Sequence, residues 1–117
     1  MSHRPRAVVT GATSGIGLAF AVEYARLGYD LLLVARSERD LDVASVDLAE
    51  RFGVQCAKLA TDLSTIDGVN GFVDATMSNG VPDVLVLNAG VTLAARVGTS
   101  SPEVIGDVMT LLALGPM

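Results

Sequence analysis

The residues Thr10-Gly11-Ala12-Thr13-Ser14-Gly15-Ile16-Gly17 follow a short apolar run and open a helical pattern. A strand that turns sharply into a helix leaves the helix's first amides open, and a negatively charged pyrophosphate can rest on them. A side chain at Gly11 or Gly15 would obstruct the turn or the phosphate, and one at Gly17 would push the helix off the sheet. The bland alternative is a glycine-rich turn that binds nothing. Three further positions carry polar chemistry at the ends of apolar runs. The Arg36 guanidinium offers a planar fork that matches a phosphate, or it is a solvated charge at a helix entry. Asp62 can accept a hydrogen bond from an adenine amino group or a backbone amide, or it caps the next helix. Asn88 lies where an open α/β sheet has its ligand crevice, or it shapes a turn with Ala89 and Gly90.

The elements that must hold these residues alternate in period. Residues 7–10, 31–35 and 84–87 are apolar runs that read as strands, 31–35 without alternation as a strand covered on both faces requires, and residues 54–60 can be a third strand. Between them lie helical patterns. Ile16, Phe20, Tyr24 and Leu27 form the first stripe, with Gly28 as a C-terminal cap. Ser37-x-x-Asp40 opens the second helix, whose stripe is Leu41, Leu48 and Phe52 and whose end is Gly53. Ser64-x-x-Asp67 opens the third, with Ile66, Val69, Val73 and Met77; Gly68 and Gly71 weaken it, and Asn79-Gly80 closes it. Ser101-Pro102-Glu103 starts a fourth helix carrying Val104, Ile105, Val108, Leu111 and Leu112. The order β-α-β-α-β-α-β-α with short connections predicts one α/β domain over residues 1–117, its sheet parallel and its crossovers right-handed.

Composition narrows the function. The net charge of −5 disfavours nucleic acid or an anionic membrane as the main partner. Residues 7–22 are uncharged apart from nothing stronger than Thr and Ser, yet too short and too polar to span a bilayer, so the chain reads as soluble and cytoplasmic. Cys56 stands alone, which excludes a disulfide framework or a cysteine zinc cluster and suggests a buried small hydrophobe. His3, in a basic start, has no partner ligands for a metal.

Thr-Gly-x-x-x-Gly-Ile-Gly after the first strand, Asp62-Leu63 after the third and Leu87-Asn88-Ala89-Gly90 at the end of the fourth resemble the short-chain dehydrogenase/reductase family. The resemblance runs from about residue 7 to residue 117. It implies a Rossmann-like α/β/α sandwich with strand order 3-2-1-4, lacking the family's later strands, and a nicotinamide dinucleotide cofactor. Gly11, Thr13, Ser14, Gly15, Ile16 and Gly17 would cradle the pyrophosphate and its flanking ribose. Asp62 with Leu63 would meet the adenine, and Asn88, Ala89 and Gly90 the ribose near the nicotinamide. Ala35 stands where NAD-binding relatives carry an acid, and Arg36 follows it, so the resemblance is to members that prefer NADP(H) over NAD(H). Leu87 replaces the first Asn of the family's Asn-Asn-Ala-Gly, which removes a polar side chain and some local hydrogen bonding.

The family's reaction is hydride transfer between carbonyl and alcohol, with a Tyr as general acid/base and a Lys four residues later. Here the single Lys is Lys58, and Gly28 and Leu33 stand four residues beyond Tyr24 and Tyr29. The family's supporting Asn on the next helix is Leu112. No catalytic residue is therefore assigned. The chain reads as the cofactor-binding half of an NADP-dependent oxidoreductase, truncated or partial; the alternative is a non-catalytic NADP(H)-binding or dimerising module. The fourth strand would be a bare edge and the last helix would show apolar residues, so a homo-oligomer is expected. A substrate, carbonyl or alcohol, would belong to a full-length form, and Thr92, Arg96 and Thr99 in a loop after the fourth strand would line part of its pocket.

Overall fold

β-Branched and leucine-rich runs form the strands because they suit a pleated surface buried on both sides. In a computed structural model, residues 4–13, 15–78, 82–89 and 91–96 are described. Five strands and three helices follow one another as β1 (Arg6–Thr10), α1 (Gly15–Arg26), β2 (Asp30–Ala35), α2 (Glu38–Phe52), β3 (Cys56–Ala60), α3 (Ile66–Met77), β4 (Val84–Ala89) and β5 (Val91–Arg96). The sheet order is β3-β2-β1-β4-β5. The first four strands are parallel, so the expected order 3-2-1-4 is present, with β1 in the middle.

Alternate residues of β1, β2 and β4 feed two cores. Ala7, Val9, Leu31, Leu33, Val84 and Val86 face one layer, where Ala21, Ala25, Leu41 and Leu48 of α1 and α2 cover them. Val8, Leu32, Val34, Leu85 and Leu87 face the other, where Val69 and Phe72 of α3 cover them. The chain walks outward from β1 to β3, then returns across β2 and β1 to β4. That reversal puts α3 on the opposite face from α1 and α2, as right-handed crossovers demand.

The helices bury different stripes from those read by spacing. In α1 the buried residues are Gly17, Ala21 and Ala25, while Ile16 and Leu27 are exposed. Small residues let the helix axis approach the sheet closely, and Phe20 and Tyr24 lie beside the contact, half-buried. In α2 Leu41 and Leu48 are buried as expected, with Ser45 between them and Phe52 only partly covered. Ser37 caps α2, accepting from the Asp40 amide at 3.2 Å, and Gly53 ends it at φ 69°. In α3 the buried set is Val69, Phe72 and Thr76; Val73 and Met77 pack at its margin, and Ile66 is 76% exposed. The cap of α3 is Thr65 rather than Ser64, because Thr65 Oγ1 takes the Gly68 amide at 2.9 Å. Asn79-Gly80, the proposed end of this helix, lies outside the described residues.

The expected bare edge on β4 is occupied. β5 runs antiparallel along it, with Val84 opposite Arg96 and Ala89 opposite Val91. Unpaired strand amides and carbonyls seek partners, and the following segment supplies them. Residues 91–96 are therefore a strand, not a loop. Thr92 stands opposite Asn88 at the carboxyl rim, whereas Arg96 stands opposite Val84 at the other end of the sheet. Arg96 thus leaves the group expected to line a substrate pocket. Thr99 and the fourth helix, with Val104, Ile105, Val108, Leu111 and Leu112, lie outside the described residues.

Candidate functional site

The sheet's direction of progress reverses between β1 and β4, and open α/β sheets have their ligand crevice outside the carboxyl ends of the strands at such a point. The turn after β1 lies on one side. Gly11 has φ 62° and Gly15 φ 57°, left-handed conformations that a β-carbon disfavours. A β-carbon on Gly11 would also come within 3.0 Å of the Asn88 side-chain nitrogen and of its carbonyl oxygen. One on Gly17 would sit 1.9 Å from the Gly11 carbonyl oxygen. The reason for Gly17 thus differs from the one expected from sequence: it lets α1 start against the turn itself. Ala12 donates its amide to the Val34 carbonyl at 3.2 Å, tying the turn to β2. Thr13 is half-buried and Ile16 is 58% exposed beside the turn. Ser14 lies outside the described residues.

On the other side of the crevice, Asn88 is half-buried within β4, which extends to Ala89. Thr10 joins the two sides, a role that sequence reading missed. It is fully buried; its hydroxyl lies 3.3 Å from the Val86 carbonyl as donor and accepts from the Asn88 amide at 2.8 Å. The signal was available, because a hydroxyl at the end of an otherwise apolar central strand needs a partner. Leu87, next to Asn88, is 3% exposed and points into the α3 layer with Val34 and Phe72. The side chain lost from the family pattern is therefore replaced by apolar packing on the far face, not by a new hydrogen bond at the crevice. Gly90 lies outside the described residues.

Arg36 and Asp62 occupy the rim one and two strands further along. The Thr61 amide donates to the Ala35 carbonyl at 2.9 Å, so Arg36 and Asp62 each follow a member of that bonded pair. Arg36 is exposed. Asp62 Oδ1 accepts from the Ser64 hydroxyl at 2.6 Å and the Ser64 amide at 2.9 Å. These bonds, and then the nearby positive charge of Arg36, hold the Asp62 carboxyl below its ordinary value. Asp62 thus shapes the loop before α3 without being its cap. Leu63 is half-buried and packs at the edge of the α3 core. Gly68 was read as a weakness in α3; its β-carbon would lie 1.8 Å from the Asp62 carbonyl oxygen, so the loop folds over it.

The residues that could transfer protons are elsewhere. Tyr24 stacks on Phe20 and meets Tyr29 edge-on at a 5.0 Å centroid separation, within the α1–α2 core. Nine residues along α1 from Gly15, Tyr24 is about 13 Å from the carboxyl rim. Lys58 pairs with Asp42 on the outer strand β3.

A bare turn at the switch point, bordered by Asn, agrees with the family pattern, and sequence comparison decides the matter: the short chain dehydrogenase profile matches residues 5–117. The chain belongs to the short chain dehydrogenase family. Its similarity to a very-long-chain 3-oxoacyl-CoA reductase of Anas platyrhynchos is 34% identity over 105 residues, 90% of this chain and 32% of that protein. A 3-dehydrosphinganine reductase of Arabidopsis thaliana is 36% identical over 97 residues, 83% of this chain and 29% of the relative. Among solved structures, L-sorbose reductase from Gluconobacter frateurii, complexed with NADPH and L-sorbose, superposes with a TM-score of 0.73 at 35% identity, covering 92% of this chain and 45% of that one. The short chain dehydrogenase fold here thus spans about a third of the length of those curated relatives.

Proposed function

We propose that this short chain dehydrogenase segment binds NADP(H) in preference to NAD(H), and that the whole protein uses it to interconvert a carbonyl and an alcohol. The observation that carries the reading is the Gly11–Gly17 turn at the switch point between β1 and β4: a β-carbon at Gly17 would collide with the Gly11 carbonyl oxygen, and Gly11 is left-handed and tight against Asn88. Gly11, Thr13, Ser14, Gly15, Ile16 and Gly17 hold the pyrophosphate and its ribose. Exposed Ile16 gives the cofactor an apolar surface at the rim. Asn88, fixed through its amide by Thr10, lies with Ala89 and Gly90 against the ribose near the nicotinamide, and Asp62 with Leu63 receives the adenine. Arg36, following Ala35 where an acid would repel a phosphate, meets the 2′-phosphate. The bound cofactor supplies the hydride, and this segment positions it.

The test is binding. NADPH should bind at least ~10-fold more tightly than NADH, the factor expected from one charge-assisted contact, and Arg36→Ala should erase most of that gap. Equal affinities of the unaltered chain for both cofactors would overturn the NADP assignment. A second reading, an NADP(H)-binding module without turnover, follows from the lack of a Tyr-x-x-x-Lys in these 117 residues. It predicts that the pure 117-residue chain binds NADPH and oxidises none of it with any carbonyl compound.

A further inference from the structure

Besides Arg36, the adenosine end of the proposed site contains an acid that works against it. Ala35 and Ala60 are register partners in neighbouring parallel strands, and the 2.9 Å bond from the Thr61 amide to the Ala35 carbonyl continues that pairing to the rim. Arg36 and Asp62 then leave the sheet side by side. Asp62 is held in place: both of its bonds to Ser64 use Oδ1, and the loop carrying it is pinned by Thr65 Oγ1 donating to the Asp62 carbonyl at 3.0 Å. Among the described residues the two charges form no ion pair within 4 Å, so they act on one another across solvent. The guanidinium's field nonetheless reaches the carboxyl and favours its charged form.

We propose that Asp62 weakens 2′-phosphate recognition, so that this residue limits how strongly the chain prefers NADP(H) over NAD(H). The proposal rests on the reading of Arg36 given above. A carboxylate fixed beside the guanidinium attracts it and repels an incoming phosphate dianion. NAD(H), which has no 2′-phosphate, escapes both effects. A hydrogen bond donated by the adenine amino group to Asp62 would serve the two cofactors alike, so the ratio of their affinities isolates the charge.

The experiment compares NADPH and NADH dissociation constants for the 117-residue chain by fluorescence titration, at low salt and at high salt. Asp62→Asn keeps an oxygen to accept from Ser64 and removes the charge. The NADPH-over-NADH ratio should rise about three- to tenfold at low salt, and the rise should shrink in 0.5 M salt, roughly as screening of an exposed pair dictates. Asp74→Asn, which changes net charge on the outer side of α3, should leave the ratio within about twofold. A ratio unmoved by Asp62→Asn, or moved equally by Asp74→Asn, overturns the proposal while a preference of the unaltered chain for NADPH still stands. Absence of that preference in the unaltered chain overturns the Arg36 reading and this one together. Cooperative melting of Asp62→Asn without cofactor confirms that the ratio reports on the folded site.

Discussion

Gly17 accepts no β-carbon because the Gly11 carbonyl oxygen, a backbone atom that cannot rotate away, lies 1.9 Å from where it would stand. Gly17→Ala must therefore displace the start of α1 or the turn. A loss of about 1–3 kcal/mol in chemical denaturation is expected, together with loss of the melting-temperature rise that NADPH causes in the unaltered chain. Thr76 offers the opposite sign: its hydroxyl is buried without a partner among the described residues, so Thr76→Val should stabilise by about 1 kcal/mol. Burial first, and the Asp30 carboxylate second, push the Cys56 thiol up to about 11. Its reaction with a disulfide reagent at pH 8 should be on the order of a hundredfold slower than that of the unfolded chain. Because the raised value belongs to the folded state, Cys56 favours folding fully below the ordinary thiol range, and that contribution is lost as pH rises through about 11. A Cys56→Ala chain should lack this alkaline loss.

The elements are tied together by few polar groups, and Thr10 is the most consequential. Its hydroxyl bridges the ends of β1 and β4, so Thr10→Val leaves the Asn88 amide and the Val86 carbonyl without it. A cost of about 1–3 kcal/mol is expected, with weaker NADPH binding, because the crevice wall is no longer fixed. The strands β3 and β4 are protected from further pairing in different ways. On β3 an exposed Lys58 stands in mid-strand and pairs with Asp42 of α2, a charge that discourages strand addition. On β4 the protection is β5 itself. Replacing both Leu93 and Ala94 with Pro removes at least one amide that faces β4, since alternate residues of a strand face its neighbour. Sedimentation should then show more self-association than in the unaltered chain; an unchanged distribution would argue that β5 does not guard the edge.

At the scale of the molecule, the sheet separates two cores and gathers the polar groups at one rim. The same rim carries an acid-sensitive element. Hydrogen bonds from Ser64, and then the Arg36 charge, lower the Asp62 carboxyl in the folded chain. A depressed carboxyl stabilises the fold above the ordinary carboxylate range, and the contribution disappears as pH falls through the lowered value. The stability difference between the unaltered chain and Asp62→Asn, present at pH 6, should therefore vanish progressively below about pH 4 in denaturation measured across that window.

The order 3-2-1-4 was what the family resemblance implied; the sequence by itself determined a parallel α/β sheet, the glycine turn and the polar positions Asn88 and Arg36. Those features follow from local chemistry: apolar runs long enough for covered strands, glycines where left-handed backbone is needed, polar residues where the runs end. The buried stripe of α1 was not legible, because Ile16 and Leu27 are more hydrophobic than Gly17, Ala21 and Ala25, and only the closeness of the sheet selects the small residues. Nor was β5: Val91-Thr92-Leu93-Ala94-Ala95-Arg96 has no strong period, and the unpaired edge of β4 makes it a strand. Tertiary structure also decided which way Leu87 points, what Gly68 and Thr10 hold, and that Asp62 stands beside Arg36. Apart from Gly68, which meets the nearby Asp62, these depend on contacts between residues far apart in sequence, which a pattern along one chain cannot encode.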